Sequence, residues 1–163
     1  MKKINFTVNG TLHSVSCHPA KTLLDVLRVD LQMTASKECC GKGECGSCSV
    51  LLNGEVVCSC LVLVGQVENE EITTCEGIGF ISNMDIIQKS FVEEGATQCG
   101  YCTPGIIVAS RAFLNRIDHV PTIDEIKTAL GGNLCRCTGY TKIIQAIQTA
   151  AKKQNIEKGT LPI

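Results

Sequence analysis

The chain has 163 residues, 44% hydrophobic and 19% charged, with a formal net charge of −1. That length suits one ordinary domain or two small ones, and the charge balance gives no basic surplus for nucleic acid or an anionic membrane surface. No apolar run approaches the ~20 residues of a membrane span.

At the N-terminus Ile4, Phe6 and Val8 alternate with polar residues, a strand pattern and not the apolar core of a signal peptide, so the expected location is the cytoplasm. The strand Lys3–Val8 turns at Asn9-Gly10, a pair that favours a type I′ hairpin, and returns as Leu12–Cys17. Thr22 and Asp25 form a capping box for a helix with Leu23, Leu24 and Leu27 on its apolar stripe. A cysteine-rich loop follows, then a strand Ser47–Leu52, a second Asn-Gly turn at 53–54, a return strand Glu55–Leu61 and a short strand near Ile72–Thr74. Near Gly77–Phe80 the pattern changes to helices. Ser82 with Asp85 caps one that runs to about Glu93, and Thr103-Pro104 opens another to about Asn115. Thr122 with Glu125 caps a third that ends before Gly131-Gly132, and Thr141 begins the last. The tail after Gln154 reads as frayed or docked on a partner. The expected fold is α+β: residues 1–76 form a small sheet on one helix and residues 77–163 a four-helix bundle.

Twelve cysteines in a chain expected in a reducing compartment point to metal rather than to disulfides. With no Trp and a core resting on Ile, Leu, Val and Ala, two small domains would gain from metal-centred staples. Four of the cysteines stand in Lys37–Cys48, KECCGKGECGSC. Cys40, Cys45 and Cys48 have the C-x4-C-x2-C spacing of plant-type [2Fe–2S] sites, whose fourth ligand lies downstream. Cys39 competes with Cys40, but only Cys40 leaves four residues before Cys45; Cys58 and Cys60 are both candidates for the fourth position, and spacing does not choose. Glycines in the loop allow tight backbone around a ligand and free N–H groups to point at an anionic one. The run also spells G-x-G-x-x-G, but a helix precedes it and a strand follows, the reverse of a dinucleotide site.

A second set is Cys99-Gly-Tyr-Cys102 with Cys135-Arg-Cys137, each pair just before an expected helix, whose N-terminus favours thiolates. A thioredoxin-like role for CGYC alone leaves the second pair unexplained, and zinc ribbons favour two widely separated C-x2–4-C pairs, which the first loop does not offer. Cys17 and Cys75 have no ligand spacing and read as small buried hydrophobes, while His13, His18 and His119 are isolated. Arg136, between two candidate ligands, either offsets negative charge, meets a partner's phosphate or is ordinary surface. No Ser/His/Asp arrangement, paired carboxylates or phosphate loop is evident, so the chain is equipped to hold electrons and not to make or break a substrate bond.

The stretches KECCGKGECGSCSVLLNG, VVCSC, GATQCGYCTPG and GNLCRCTGY, in that order from about Lys2 to Ala151, resemble the small iron–sulfur subunit of the molybdenum hydroxylases, the xanthine dehydrogenase and aldehyde oxidoreductase family. The resemblance implies a ferredoxin-like β-grasp domain followed by a four-helix domain, and two [2Fe–2S] clusters. It implies Cys40, Cys45, Cys48 and Cys60 as ligands of the first cluster, with Cys39 standing where the family has glycine and Cys58 spare. Cys99, Cys102, Cys135 and Cys137 are the implied ligands of the second, which lies nearest a molybdopterin cofactor; Gln98 and Cys137 match positions beside the pterin. The implied partners are a molybdopterin-binding large subunit and an FAD-binding medium subunit. Single electrons would pass from molybdenum through both clusters to FAD, the substrate being a purine or another N-heterocycle. A free two-cluster ferredoxin is the alternative, and a zinc-stapled interaction module a third possibility.

Overall fold

In the computed structural model, which describes residues 1–157, the first half of the chain builds a five-stranded mixed sheet. Its strands are β1 (Lys2–Val8), β2 (Thr11–Cys17), β3 (Ser49–Leu52), β4 (Glu55–Cys58) and β5 (Glu71–Thr73). They lie in the order β2-β1-β5-β3-β4, with β1 and β5 parallel and every other neighbouring pair antiparallel. Both Asn-Gly turns form as expected: φ is 52° and 77° at Asn9 and Gly10, and 51° and 85° at Asn53 and Gly54, the double left-handed geometry of a type I′ turn. The alternation of β1 buries Ile4, Phe6 and Val8 completely, and they pack with Val15, Leu23, Val26 and Leu27.

Thr22 caps the helix that covers this face, its Oγ1 accepting the Asp25 N–H at 3.1 Å. The helix is not regular. Its α-helical start, α1 (Leu23–Asp25), widens into a π-helical turn over Val26–Asp30, closed by the Leu31 N–H on the Val26 carbonyl at 3.0 Å.

The second half is helical: α2 (Cys75–Ile78), α3 (Ile86–Glu93), α4 (Thr103–Asn115), α5 (Ile123–Ala129) and α6 (Thr141–Glu157). Short α2 was not expected. The cap of α3 is Asp85 and not Ser82: its carboxylate accepts the Ile87 N–H at 2.9 Å while the Gln88 side-chain Oε1 accepts the Asp85 N–H at 2.9 Å. Thr122 with Glu125 caps α5 as the sequence predicts; in α4 the cap is Cys102 and not Thr103, which becomes the first helical residue with Pro104 the second. Helix α6 continues past Gln154 to Glu157, so the tail is still helical there; residues 158–163, the rest of that expectation, lie outside the described residues.

Ile87, Phe91, Ile106, Leu114, Ile126, Ile143 and Ile147 form the helical core. It meets the sheet through a small cluster of Leu51 on β3 with Val108 and Ala112 on α4. The fold is therefore α+β, with two apolar cores. No helix among the described residues is long and apolar enough to cross a membrane.

Candidate metal centres

The first cysteine loop leaves the π-helical turn and reaches β3 without regular structure, held by backbone bends. Gly43 and Gly46 have φ of 76° and 67°, and both are pressed on from outside. A Cβ at Gly43 would overlap the Leu61 side chain, and one at Gly46 would overlap the Gly132 carbonyl and Asn133 side chain. Conformation favours glycine at both positions, and at Gly46 space requires it as well, because backbone stands against it.

This fold aims backbone donors at sulfur. The Lys42 N–H donates to Cys40 Sγ at 3.4 Å. That donor, then the Cys45 thiol and the Glu44 N–H, pulls the Cys40 thiol down to about 6. Cys60 is pushed up to about 12, first by burial and then by contact with Cys48, with the Gly43 N–H acting against the rise. Exposed Cys39 receives no such backbone donors; its thiol is raised, chiefly by contact with Cys45. The donors thus prefer a sulfur anion at Cys40.

The predicted fourth position is served by β4 and the turn after it. The strand stops at Cys58 because Ser59 is tied down: its Oγ donates to the Cys48 carbonyl at 2.7 Å, and its own carbonyl accepts the Leu24 N–H at 3.1 Å. Cys58 and Cys60 flank this anchor, and both thiols contact Cys48.

The second set is assembled from two loops. Cys102 directly precedes α4, and Cys135 and Cys137 precede α6. Tyr140, at φ 65°, ties the latter loop together: its hydroxyl accepts the Cys135 N–H at 2.8 Å and donates to the Asn133 carbonyl at 3.0 Å. Burial pushes Cys135 up, but the Thr138 hydroxyl, 3.1 Å from Cys135 Sγ, and the Thr138 and Cys137 N–H groups outweigh it and leave that thiol below its ordinary value. Burial, then Cys135, pushes Cys102 up to about 12. Cys137 is raised by its contact with Cys99.

Each predicted set is therefore brought together, and each divides into two contacting pairs. Cys40 meets Cys45 and Cys48 meets Cys60 in the first; Cys99 meets Cys137 and Cys102 meets Cys135 in the second. Among the described residues no three His, Cys, Asp or Glu side chains converge as ligands of one ion. Thiols held in neighbouring pairs are what a two-iron centre, with its ligands shared between metals, requires.

The two sets lie side by side. The Leu134 N–H donates to the Cys45 carbonyl at 2.9 Å, and Asn133 Nδ2 donates to the Gly46 carbonyl at 3.1 Å. The Tyr101 hydroxyl donates to the Glu38 carbonyl. A cavity of about 450 Å³ at this junction is lined by Cys39, Cys45, Tyr101, Cys102, Cys135 and Cys137, among others. Exposed Arg136 also lines it, and exposed Gln98 precedes Cys99 in sequence. Asn133, Thr138, Tyr101 and Tyr140 were not singled out from sequence; the signal available was their place inside or beside the two cysteine motifs. Cys17 is buried in the sheet core as expected, and half-buried Cys75 packs against the helical one, its thiol pushed by burial up to about 11. His18 and His119 are exposed and His13 is half-buried, none within either set.

These paired thiols in amide-lined loops define a chain with two iron–sulfur sites, and similarity to known proteins agrees. Residues 6–78 match the family model described as "2Fe-2S iron-sulfur cluster binding domain", and residues 74–148 the one described as "[2Fe-2S] binding domain". The nicotinate dehydrogenase small FeS subunit of Eubacterium barkeri is 45% identical over 150 residues, covering 92% of this chain and 95% of that protein. Aldehyde oxidoreductase from Desulfovibrio desulfuricans superposes with a TM-score of 0.91 at 39% identity, over 98% of this chain and 18% of that one. A chain of quinoline 2-oxidoreductase from Pseudomonas putida 86 gives a TM-score of 0.89 at 36% identity and is covered, like this chain, to 98%. The chain belongs to the small [2Fe–2S] iron–sulfur subunits of the molybdenum hydroxylase family.

Proposed function

We propose that the chain is the electron relay of a molybdenum hydroxylase, passing single electrons between a molybdopterin-binding large subunit and an FAD-binding medium subunit. The observation that carries this is the bridge between the two thiol sets: the Cys45 carbonyl accepts the Leu134 N–H, and Leu134 is bonded to Cys135. One hydrogen bond and a few covalent bonds thus join a candidate ligand of each site. A free carrier needs only one such site and a charged docking face, and the net charge of −1 offers little of the latter.

Cys40, Cys45, Cys48 and Cys60 would hold one cluster and Cys99, Cys102, Cys135 and Cys137 the other, each contacting pair serving one iron. Two [2Fe–2S] clusters supply one-electron redox chemistry when bound. The chain's part is to set their potentials. Amides from Lys42 and Glu44 favour negative charge on Cys40, and Thr138 does so on Cys135. The unit of residues 1–76 reads as a ferredoxin-like β-grasp domain and that of 77–163 as a four-helix domain, meeting within α2. The second set would face the molybdopterin, with Gln98 and Cys137 beside the pterin, and the first set the flavin. A cytoplasmic complex acting on a purine or other N-heterocycle fits nicotinate and quinoline as the compounds named for two relatives.

Purification of the native complex tests this. About four irons and four acid-labile sulfides per chain are expected, together with co-purifying molybdopterin and flavin subunits. Zinc without sulfide would overturn the cluster assignment, and a monomer that reduces unrelated acceptors would favour the free carrier.

A further inference from the structure

The first site has more thiols than a cluster needs. Besides Cys40, Cys45, Cys48 and Cys60, Cys58 lies beside it: its thiol donates to the Gly43 carbonyl of the first loop at 3.6 Å, and burial, then the neighbouring Cys48, pushes that thiol up to about 11. Cys60 contacts the same Cys48. The residue between them, Ser59, is fully buried and fastened at three points: its N–H and its Oγ donate to the Cys48 carbonyl at 3.3 and 2.7 Å, and its carbonyl accepts the Leu24 N–H at 3.1 Å. Cys58 and Cys60 therefore sit one residue either side of a point that is fixed relative to Cys48. The backbone of Cys58 is fixed by its pairing with Ser49 and by the Leu61 N–H on its carbonyl at 2.9 Å, while its Sγ makes a long 3.6 Å bond to the Gly43 carbonyl. Cys58 also lines the groove of about 700 Å³ between β4 and α4, which leaves its side chain room to turn and reagents a way in.

Resting on the cluster assignment above, we propose that Cys58 is a reserve ligand of the first site, able to take the iron position assigned to Cys60. In the exchange the Cys58 thiol gives its proton to solvent and forms the iron–sulfur bond, while the departing Cys60 thiolate takes a proton; no electron changes hands. The bound centre keeps four thiolates and its charge, and only the loop geometry at that corner alters. The other two extra cysteines outside the sheet core lack this placement: exposed Cys39 neighbours Cys45 and is not joined to the Ser59 anchor, and Cys75 packs among the helices.

The test uses the full chain in its complex, as wild type and as C60A, C58S and C60A/C58S, with iron, sulfide and EPR measured and with iodoacetamide labelling of Cys58 read by mass spectrometry. Wild type and C58S should each retain about four irons and the same first-site signal. C60A should keep that iron count with a shifted first-site signal, and its Cys58 should become protected from iodoacetamide while the wild-type Cys58, slow to react because its thiol is pushed up to about 11, is labelled on long exposure. C60A/C58S should fall to about two irons with the second-site signal intact. C60A falling to two irons with the second-site signal intact would overturn the proposal, as would loss of the first-site signal in C58S alone. Should C60A not accumulate, C60S is the milder change, and labelled Cys58 in a folded C60S with an empty first site would overturn it equally. Wild-type chain without iron would instead refute the cluster assignment, so the two failures are distinguishable.

Discussion

Gly105 lies in the first turn of α4, where alanine ordinarily strengthens a helix by about 1 kcal/mol. Here the neighbouring loop reverses that expectation. A Cβ at Gly105 would overlap the Gly46 carbonyl oxygen and stand 3.1 Å from its carbon and 3.2 Å from Ser47 Cα. These are backbone atoms of the segment between Cys45 and Cys48, so no flexible side chain can swing aside. Forced overpacking of this kind costs about 1–3 kcal/mol, so Gly105→Ala should be net destabilising by up to about 2 kcal/mol. At about 2–4 °C per kcal/mol for a chain of this size, the thermal midpoint should fall by up to about 8 °C. The loop must also move, so the first-site EPR spectrum should change while the second-site spectrum holds. Paired thermal melts and EPR of the cluster-loaded chain decide it. A midpoint that rises by a few degrees with an unchanged first-site spectrum would mean that helix preference wins and that α4 does not buttress the loop.

Other expectations follow from the same geometry. Cys40→Ser should abolish or distort the first-site EPR signal and Cys39→Ser should leave it, because the Lys42 and Glu44 amides address Cys40; the reverse pattern would shift the ligand register by one. Asn133→Ala removes a buried donor to the Gly46 carbonyl and the Ser49 hydroxyl, so urea unfolding should report a loss of about 1–3 kcal/mol, and a loss below about 0.5 kcal/mol would show that this contact is incidental. Glu125, drawn down to about 2 by the Thr122 N–H, then the Thr122 hydroxyl and His119, supports α5 wherever it is ionised. Because its folded value is depressed, that support is complete above its unfolded value of about 4.3 and fades as pH falls through about 2. Amide protection in α5 should therefore differ between wild type and Glu125→Gln above about pH 5, and the difference should shrink as pH falls toward about 2; a difference that persists unchanged at about pH 2 would show that the Glu125 carboxylate is not its source.

Local chemistry made much of the fold legible. The Asn-Gly turns and the Thr22 and Thr122 caps each act through their own few residues, and each appears where the sequence places it. What escaped is non-local or degenerate. Ser82–Asp85 and Asp85–Gln88 are two overlapping capping boxes of equal spacing, and only the folded helix selects the second. The widening over Val26–Asp30 has no residue signature, since its residues are ordinary helix stripe and the i→i+5 bond of Leu31 is imposed by the packing around it. The end of β4 at Cys58 depends on Ser59 reaching the Cys48 carbonyl eleven residues away. For the candidate sites, spacing singled out Cys40, Cys45 and Cys48 and the CGYC and CRC pairs but left Cys58 and Cys60 open, because that choice is made by the turn after β4 and not by a count of residues.

The two halves of the chain have separate cores, and the apolar contact between them is small: Leu51 against Val108 and Ala112. The Arg116–Glu55 ion pair and the Ala35 N–H on the Glu76 carboxylate also join them, and the cysteine loops add their own backbone contacts. Leu134 makes the point, for its side chain is 56% exposed while its N–H carries the bridge to the Cys45 carbonyl. Any residue but proline can supply that donor. Around it, Gly46 and Gly105 allow backbone to touch backbone, and Asn133 caps the Gly46 carbonyl. Between the two sites themselves the ties are hydrogen bonds of the loops that hold them, from the Leu134 N–H, the Asn133 amide and the Tyr101 hydroxyl. A relay needs the distance between its sites held constant more than it needs a large interface, and this junction supplies the one with little of the other.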